Sequence, residues 1–523
     1  MTSLHSGSSH DTPLQNTALP NIPLQISGND LSLNDLGQVV YARRPVELAA
    51  TARERVVAAR EVVEKLLRED RVAYAINTGV GKLSDVHIEP AQNRQLQVNL
   101  IRSHSAGVGE PLSQEETRAM MLLRANSLAK GFSGVRPEVI GTLCAMLNQG
   151  VHPVVPSQGS VGASGDLAPL AHLALAMIGE GEVWRESGRT KSAEALRHAG
   201  IKPLVPEAKE AISLINGTQA MLAVGTLSLM AAETLAETAD VLGAMTLDAL
   251  KGTDAAFDER IHAARPHAGQ VKVAANLRRL IAGSQIRESH KDCGRVQDAY
   301  SMRCIPQVHG AVRDTLEFCR KTFEIEMNSA VDNPLVFVKG HAEGDIISGG
   351  NFHGEPLAFA LDYMAIALSA LAGISERRIE RLVNPALNEG LPPFLAPDAG
   401  INSGFMMPQV TAAALASENK VLAHPASVDS ITTSGNKEDY VSMGMAAAIK
   451  LKRVVANTTN VLAIEACAAA QALDFLAPLK SSGPLEKAHA AIRKVSPKIE
   501  QDRVFAEDFA KLAELIRQGG IVA

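Results

Sequence analysis

Residues 211–232, AISLINGTQAMLAVGTLSLMAA, carry no charge between Glu210 and Glu233. The length suits a membrane span, yet Asn216, Gly217, Thr218 and Gln219 interrupt its first half. It reads better as a helix buried among other helices, with the polar cluster as the first sign of a site. The run belongs to a weakly charged Ala/Leu-rich stretch, 207–250, and similar ones recur at 307–332, 354–385, 404–424 and 440–475. Ordinary surface helices carry a charged face. Stretches this apolar must be sheltered on most sides, inside a bundle or at a subunit interface. The pattern predicts a mainly α protein that oligomerises.

Composition agrees. Of 523 residues, 46% are hydrophobic but only 3% aromatic (12 Phe, 1 Trp, 5 Tyr). Ala and Leu lose little on entering a helix, whereas β architectures lean on aromatic and β-branched residues. With 51 Lys+Arg against 57 Asp+Glu, the net charge is −6, which gives no electrostatic support for binding nucleic acid or a membrane surface. Five cysteines, an odd number with no CxxC, read as reduced thiols of a cytoplasmic protein. The first 42 residues contain no Lys or Arg, so a signal peptide is not expected. Residues 1–21 read as a disordered tail, 22–206 as an N-terminal globular domain and 207–523 as a helical bundle.

Within the N-terminal part, 22–28 reads as a short strand. Residues 45–70 read as a helix, with Pro45 in its first turn. A Gly-bearing loop at 75–85 precedes helical stretches to about 103, at 114–131 and at 136–149. A Pro/Gly/Ser-rich loop then runs over 152–169, and 182–206 resembles a small polar excursion.

The segment Gly159-Ser-Val-Gly-Ala-Ser-Gly-Asp166 invites familiar labels that fail. No Gly-Lys-Ser/Thr follows, the spacing is not GxGxxG, and Asp166 stands where a GxSxG elbow needs Gly. The 15 histidines show no HExxH, so a metal site is not expected. Alone, Ala163-Ser164-Gly165 reads as a Gly-rich turn before a helix capped by Asp166. It has a second reading. The Gly165 amide nitrogen can attack the Ala163 carbonyl carbon to close a five-membered ring, the carbonyl oxygen leaving as one water, and loss of a second water from Ser164 leaves an exocyclic methylidene, an electrophile that no unmodified side chain provides.

The string from Gly159 to His172 resembles the signature of the aromatic amino acid ammonia-lyases, which mature Ala-Ser-Gly into methylidene-imidazolone (MIO). Further blocks follow in family order: Tyr74-Ala-Ile-Asn-Thr-Gly79, Asn99-Leu-Ile-Arg-Ser-His-Ser-Ala-Gly107, Ile215-Asn-Gly-Thr-Gln219, Val296-Gln-Asp-Ala-Tyr-Ser-Met-Arg303, Asp332-Asn-Pro334, Gly349-Gly-Asn-Phe352 and Asn402-Ser-Gly-Phe405. The resemblance covers the chain from about residue 24 to its end.

It implies a fumarase/aspartase-like ammonia-lyase architecture: an MIO-bearing N-terminal part, a long central helical bundle, and homotetramers whose active sites borrow residues from neighbouring chains. It implies an MIO formed autocatalytically from Ala163, Ser164 and Gly165, with no metal or external cofactor. Tyr74 matches the mobile-loop base, and Tyr300 a second active-site tyrosine. Arg303 matches the group that grips the substrate carboxylate, a task suited to a bidentate guanidinium. Asn216 and Gln297 match partners of the MIO or substrate, and Phe352 a pocket aromatic. Ser103-His104 and Glu438 match residues of members acting on histidine, so the resemblance implies deamination of L-histidine to trans-urocanate and ammonia. Tyrosine or phenylalanine lyases and aminomutases are the alternatives within the family, and a non-catalytic helical scaffold is the alternative outside it. The chain departs from the common pattern at Ala75, Val80, Lys437 and Tyr440.

Overall fold

A computed structural model describes residues 22–185 and 188–522. The reading of 1–21 as a tail lies outside them. Helices dominate, and the described strands form only two- and three-stranded sheets. The mainly α expectation therefore holds.

The apolar stretches become long helices: Gln219–Ala249, Ile305–Met327, Glu355–Val383, Met406–Leu422 and Gly444–Asp474. The first and third are long and apolar enough to cross a membrane, but their most apolar windows are 72% and 61% buried within the protein. The run 211–232 is not one helix. Glu210–Ile215 ends at Asn216, and a new helix starts at Gln219. Gly217, at φ +158°, makes the break; a Cβ there would lie 2.4 Å from the Arg124 guanidinium.

The chain divides into two compact units. One comprises residues up to Leu227, Lys321–Phe359 and Ala426–Ile449; the other comprises Ser228–Arg320, Ala360–Pro425 and Lys450–Ala523. In the first, Leu24–Ile26 pairs in parallel with Val46–Leu48. The predicted helix over 45–70 is corrected here: its first residues are strand, and the helix runs Ala50–Arg68. The Pro45 carbonyl accepts the Leu24 N–H at 2.7 Å, a role that suits a residue with no N–H of its own. Ala59, Val62, Val63 and Leu66 on this helix pack with Ile76 and Val336. The polar excursion is a hairpin, Glu182–Arg185 with Gly188–Lys191, followed by a helix, Ser192–His198.

The second unit packs Ala372, Ile379, Ala412, Val461 and Ile464 into one cluster. Beside this aliphatic packing lies a fully buried ion pair. Arg378 donates through Nε and Nη2 to the Glu465 carboxylate, which also accepts from Ser375 Oγ (2.5 Å) and Thr246 Oγ1 (3.0 Å). Every Glu465 lone pair direction is used, the condition under which a buried carboxylate is tolerated. Glu465→Ala leaves the Arg378 charge buried and unpaired, so urea unfolding should show a loss of about 3–5 kcal/mol. A loss below about 1 kcal/mol would mean that the pair behaves as if it were exposed.

Candidate active site

Two glycines set the path of the loop that carries Ala163-Ser164-Gly165. Gly162 has φ +73° and Gly165 φ +69°, the region that side chains avoid. A Cβ at Gly162 would lie 2.1 Å from Ser442 Oγ, and one at Gly165 would lie 2.1 Å from the Gly217 carbonyl oxygen. Between them the chain folds back, so that Gly162 and Ala163 each bridge to Gly165. Ala163 is buried against Val441 and Met443, while Ser164 is half-buried. The compact turn, with no side chain at Gly165 to obstruct it, fits the ring closure that an MIO requires.

Asp166 anchors this turn. Its N–H donates to the Gly217 carbonyl at 2.6 Å. Its Oδ2 accepts from the Met221 N–H at 2.8 Å, and its Oδ1 lies 3.0 Å from Ser160 Oγ. The residue starts the helix Leu167–Met177 but makes no side-chain cap there. The capping expectation is corrected: the carboxylate serves the N-terminus of Gln219–Ala249, where free amides and the helix dipole favour an anion. Burial pushes the Asp166 carboxyl up to about 6, against the pull of the Met221 amide and the Ser160 hydroxyl.

Opposite Ser164 stands Glu438. Its Oε1 accepts from Ser164 Oγ at 3.2 Å, and its Oε2 from Thr433 Oγ1 at 2.8 Å. His104 feels the same carboxylate. Burial lowers its imidazole pKa, while the Leu100 carbonyl and Glu438 pull it upward. Because a carbonyl only accepts, the 2.9 Å contact from His104 Nδ1 to Leu100 O places a proton on Nδ1. Nε2 of the neutral ring is then an acceptor. The block that carries His104 is tied to the tripeptide's helix, since His172 Nε2 accepts the Gly107 N–H at 3.2 Å.

Asn216 follows the short helix Glu210–Ile215. Its Nδ2 donates to the Asn333 carbonyl at 3.1 Å, and its Oδ1 is buried without a partner. Tyr74 Oη accepts the Gly81 N–H at 3.1 Å. Ala75 beside it has φ +56°, a backbone conformation that glycine adopts more readily than alanine. Phe352 is half-buried. Gln297, Tyr300 and Arg303 form a cluster of their own. The Arg303 guanidinium lies 5.5 Å from the centre of the Tyr300 ring and donates to Gln297 Oε1, and Tyr300 is 73% exposed. Lys437 is exposed, and Tyr440 stacks on His353 with ring centres 6.0 Å apart.

The family model for aromatic amino acid lyases matches residues 31–494. This chain belongs to the aromatic amino acid lyase family. A histidine ammonia-lyase from Koribacter versatilis (strain Ellin345) is 70% identical, over 96% of this chain and 99% of that protein. One from Stigmatella aurantiaca is 53% identical, over 95% and 97%. Among solved structures, histidine ammonia-lyase from Trypanosoma cruzi has a TM-score of 0.88 at 44% identity, covering 96% of this chain and 94% of that one. Tyrosine aminomutase from Streptomyces globisporus has a TM-score of 0.91 at 38% identity, covering 96% and 98%.

Seen as a lyase of this family, the chain brings the tripeptide, His104 and Glu438 together in one unit, with Asn216 next to the glycine that abuts Gly165. Among the described residues no group of three or more His, Cys, Asp or Glu is placed to hold a metal ion. Sequence reading missed Asp166 and His172 as organisers of the loop; both stood inside the quoted signature, but their partners lie 55 and 65 residues away.

The Asp166 carboxyl gives a pH signature. Its folded value of about 6 exceeds the ordinary 3.8, so the protonated form is favoured by folding. The associated stability, about 3 kcal/mol, is complete below pH 4 and is lost as pH rises through 6. Relative to Asp166→Asn, the wild type should therefore lose about that much between pH 4 and pH 7.5 in urea unfolding. A pH-independent difference between the two would refute the assignment.

Proposed function

We propose that this protein is a histidine ammonia-lyase, converting L-histidine to trans-urocanate and ammonia by way of an MIO made autocatalytically from Ala163, Ser164 and Gly165. The proposal includes a cytoplasmic homotetramer with shared active sites. The observation that carries it is the Glu438 carboxylate, hydrogen-bonded to Ser164 and sharing its field with His104. The relatives named histidine ammonia-lyase support it.

The chemical difficulty is twofold: the β-proton of an amino acid is weakly acidic, and ammonia leaves poorly. The MIO supplies an electrophilic carbon that turns the amine into a better leaving group. The rest falls to side chains. Tyr74 takes the β-proton as general base, and Tyr300 assists at the amine. Arg303 holds the α-carboxylate in a bidentate pair, with Gln297 beside it. Asn216 aligns the amine side of the site, and Phe352 walls the ring. The exposure of Tyr300 and of Val296, at 73% and 96%, supports completion of the site by a neighbouring chain.

Substrate choice follows from acceptors. His104 Nε2 and the Glu438 carboxylate both accept, which suits an imidazole ring that carries N–H donors and can gain a proton. Loss of the Ser164 hydroxyl on maturation removes the donor now on Glu438 Oε1, leaving that oxygen for the substrate. A phenyl ring offers no replacement, so its binding leaves a desolvated carboxylate unpartnered.

The test is a substrate panel. Histidine should yield urocanate with a kcat/KM well above that for tyrosine or phenylalanine. Glu438→Gln should lower kcat/KM for histidine by about 10- to 100-fold, the worth of a hydrogen bond to a charged group, while raising phenylalanine turnover, because the neutral amide costs less to desolvate. Faster coumarate or cinnamate production by the wild type would overturn the proposal.

A further inference from the structure

The block Asp332-Asn333-Pro334 has no role in the chemistry above, yet it lies under two parts of the site. Lys209 and Asp332 form an ion pair at 2.9 Å with side chains 0% and 1% exposed. Burying two charges carries a desolvation cost that attraction barely offsets, and apolar residues of equal volume are often as stable. Stability alone therefore does not account for the pair. Lys209 also holds a left-handed backbone at φ +72°, a conformation that costs a non-glycine residue energy and that concentrates near functional sites.

The contacts around the pair form a closed ring. Lys209 Nζ donates to Asp332 Oδ2 and, at 2.9 Å, to Ser213 Oγ. Asp332 Oδ1 accepts the Asn333 N–H at 2.7 Å. The Asn333 carbonyl accepts from Asn216 Nδ2 at 3.1 Å. Asn216 follows the helix Glu210–Ile215, which starts directly after Lys209. With both carboxylate oxygens occupied, Asp332 fixes the Asn333 N–H on one side of that residue, and the Asn333 carbonyl on its other side holds the Asn216 amide. Its Oδ1, buried and unpartnered, is thereby aimed. The ring also has a branch: Asn333 Oδ1 accepts the Gly349 N–H at 2.8 Å, tethering the turn Gly349-Gly-Asn-Phe352.

We propose that Lys209, Asp332 and Asn333 are positioning residues that align the Asn216 amide and the Phe352 turn against the substrate. This rests on the reading of Asn216 and Phe352 as substrate-site residues. Asp332 acts on the amine side through Asn216, and the Asn333 side chain acts on the ring side through Phe352.

The two effects separate in kinetics. Asn333→Ala cuts the Gly349 tether and keeps the carbonyl to Asn216, so KM for histidine should rise about 5- to 10-fold with kcat within about twofold, the worth of one hydrogen bond. Asn333→Asp keeps an acceptor for Gly349 and should restore KM. Asp332→Asn should lower kcat about 10-fold or more through misplacement of Asn216. Each protein is first checked by intact mass for loss of two waters and by thermal melting for its folded fraction. The proposal fails if Asn333→Ala keeps the wild-type KM, or if Asp332→Asn keeps the wild-type kcat per folded, dehydrated chain. Should Asn333→Ala not fold, Asn333→Ser, too short to reach Gly349, carries the same KM comparison. A wild type that does not turn over histidine would instead sink the functional reading, so the two failures are distinct.

Discussion

The Asp166 carboxylate, buried at the N-terminus of the helix Gln219–Ala249, holds the tripeptide turn in place. It takes the Met221 amide while its own N–H is donated to Gly217. Gly165 and Gly217 then meet at a separation that leaves no room for a Cβ. A chain forced back on itself at Ala163-Ser164-Gly165 is a chain whose next amide and preceding carbonyl are brought together. The ring closure proposed for this tripeptide would start from a turn that the folded backbone already bends back on itself.

The same helix terminus explains why the apolar run breaks at Asn216-Gly217-Thr218. A continuous helix would have satisfied its amides internally and offered nothing to Asp166. The break exposes the first amides of Gln219–Ala249, supplies the Gly217 carbonyl, and leaves Asn216 at the end of a short helix whose start, Lys209, is locked to Asp332. Backbone geometry and polar chemistry are therefore one arrangement: the residues that interrupt the hydrophobic pattern are those that shape the site.

The long helices were legible because apolar character on all faces permits little else than burial in a bundle, and the tripeptide was legible because its signature is short and contiguous. Other features were not. Pro45 suits both a helix start and a strand end, and the pairing with Leu24 that chose between them is not a local property. Asp166 reads as a cap for the helix it precedes, but it serves one whose bonded amide, that of Met221, lies 55 residues on. Lys209 and Asp332 are 123 residues apart, and nothing in either neighbourhood marks a partner. Hydrophobic periodicity is written along the chain, whereas buried polar pairing is settled only by the fold.

The central claim is that this turn becomes an electrophile. Its most direct measurement is the mass of the purified chain and of the proteolytic peptide spanning 163–165. The wild type should be two waters lighter than its sequence, with the loss confined to that peptide, and Ser164→Ala should keep its full mass. A wild-type chain at full sequence mass would contradict the account.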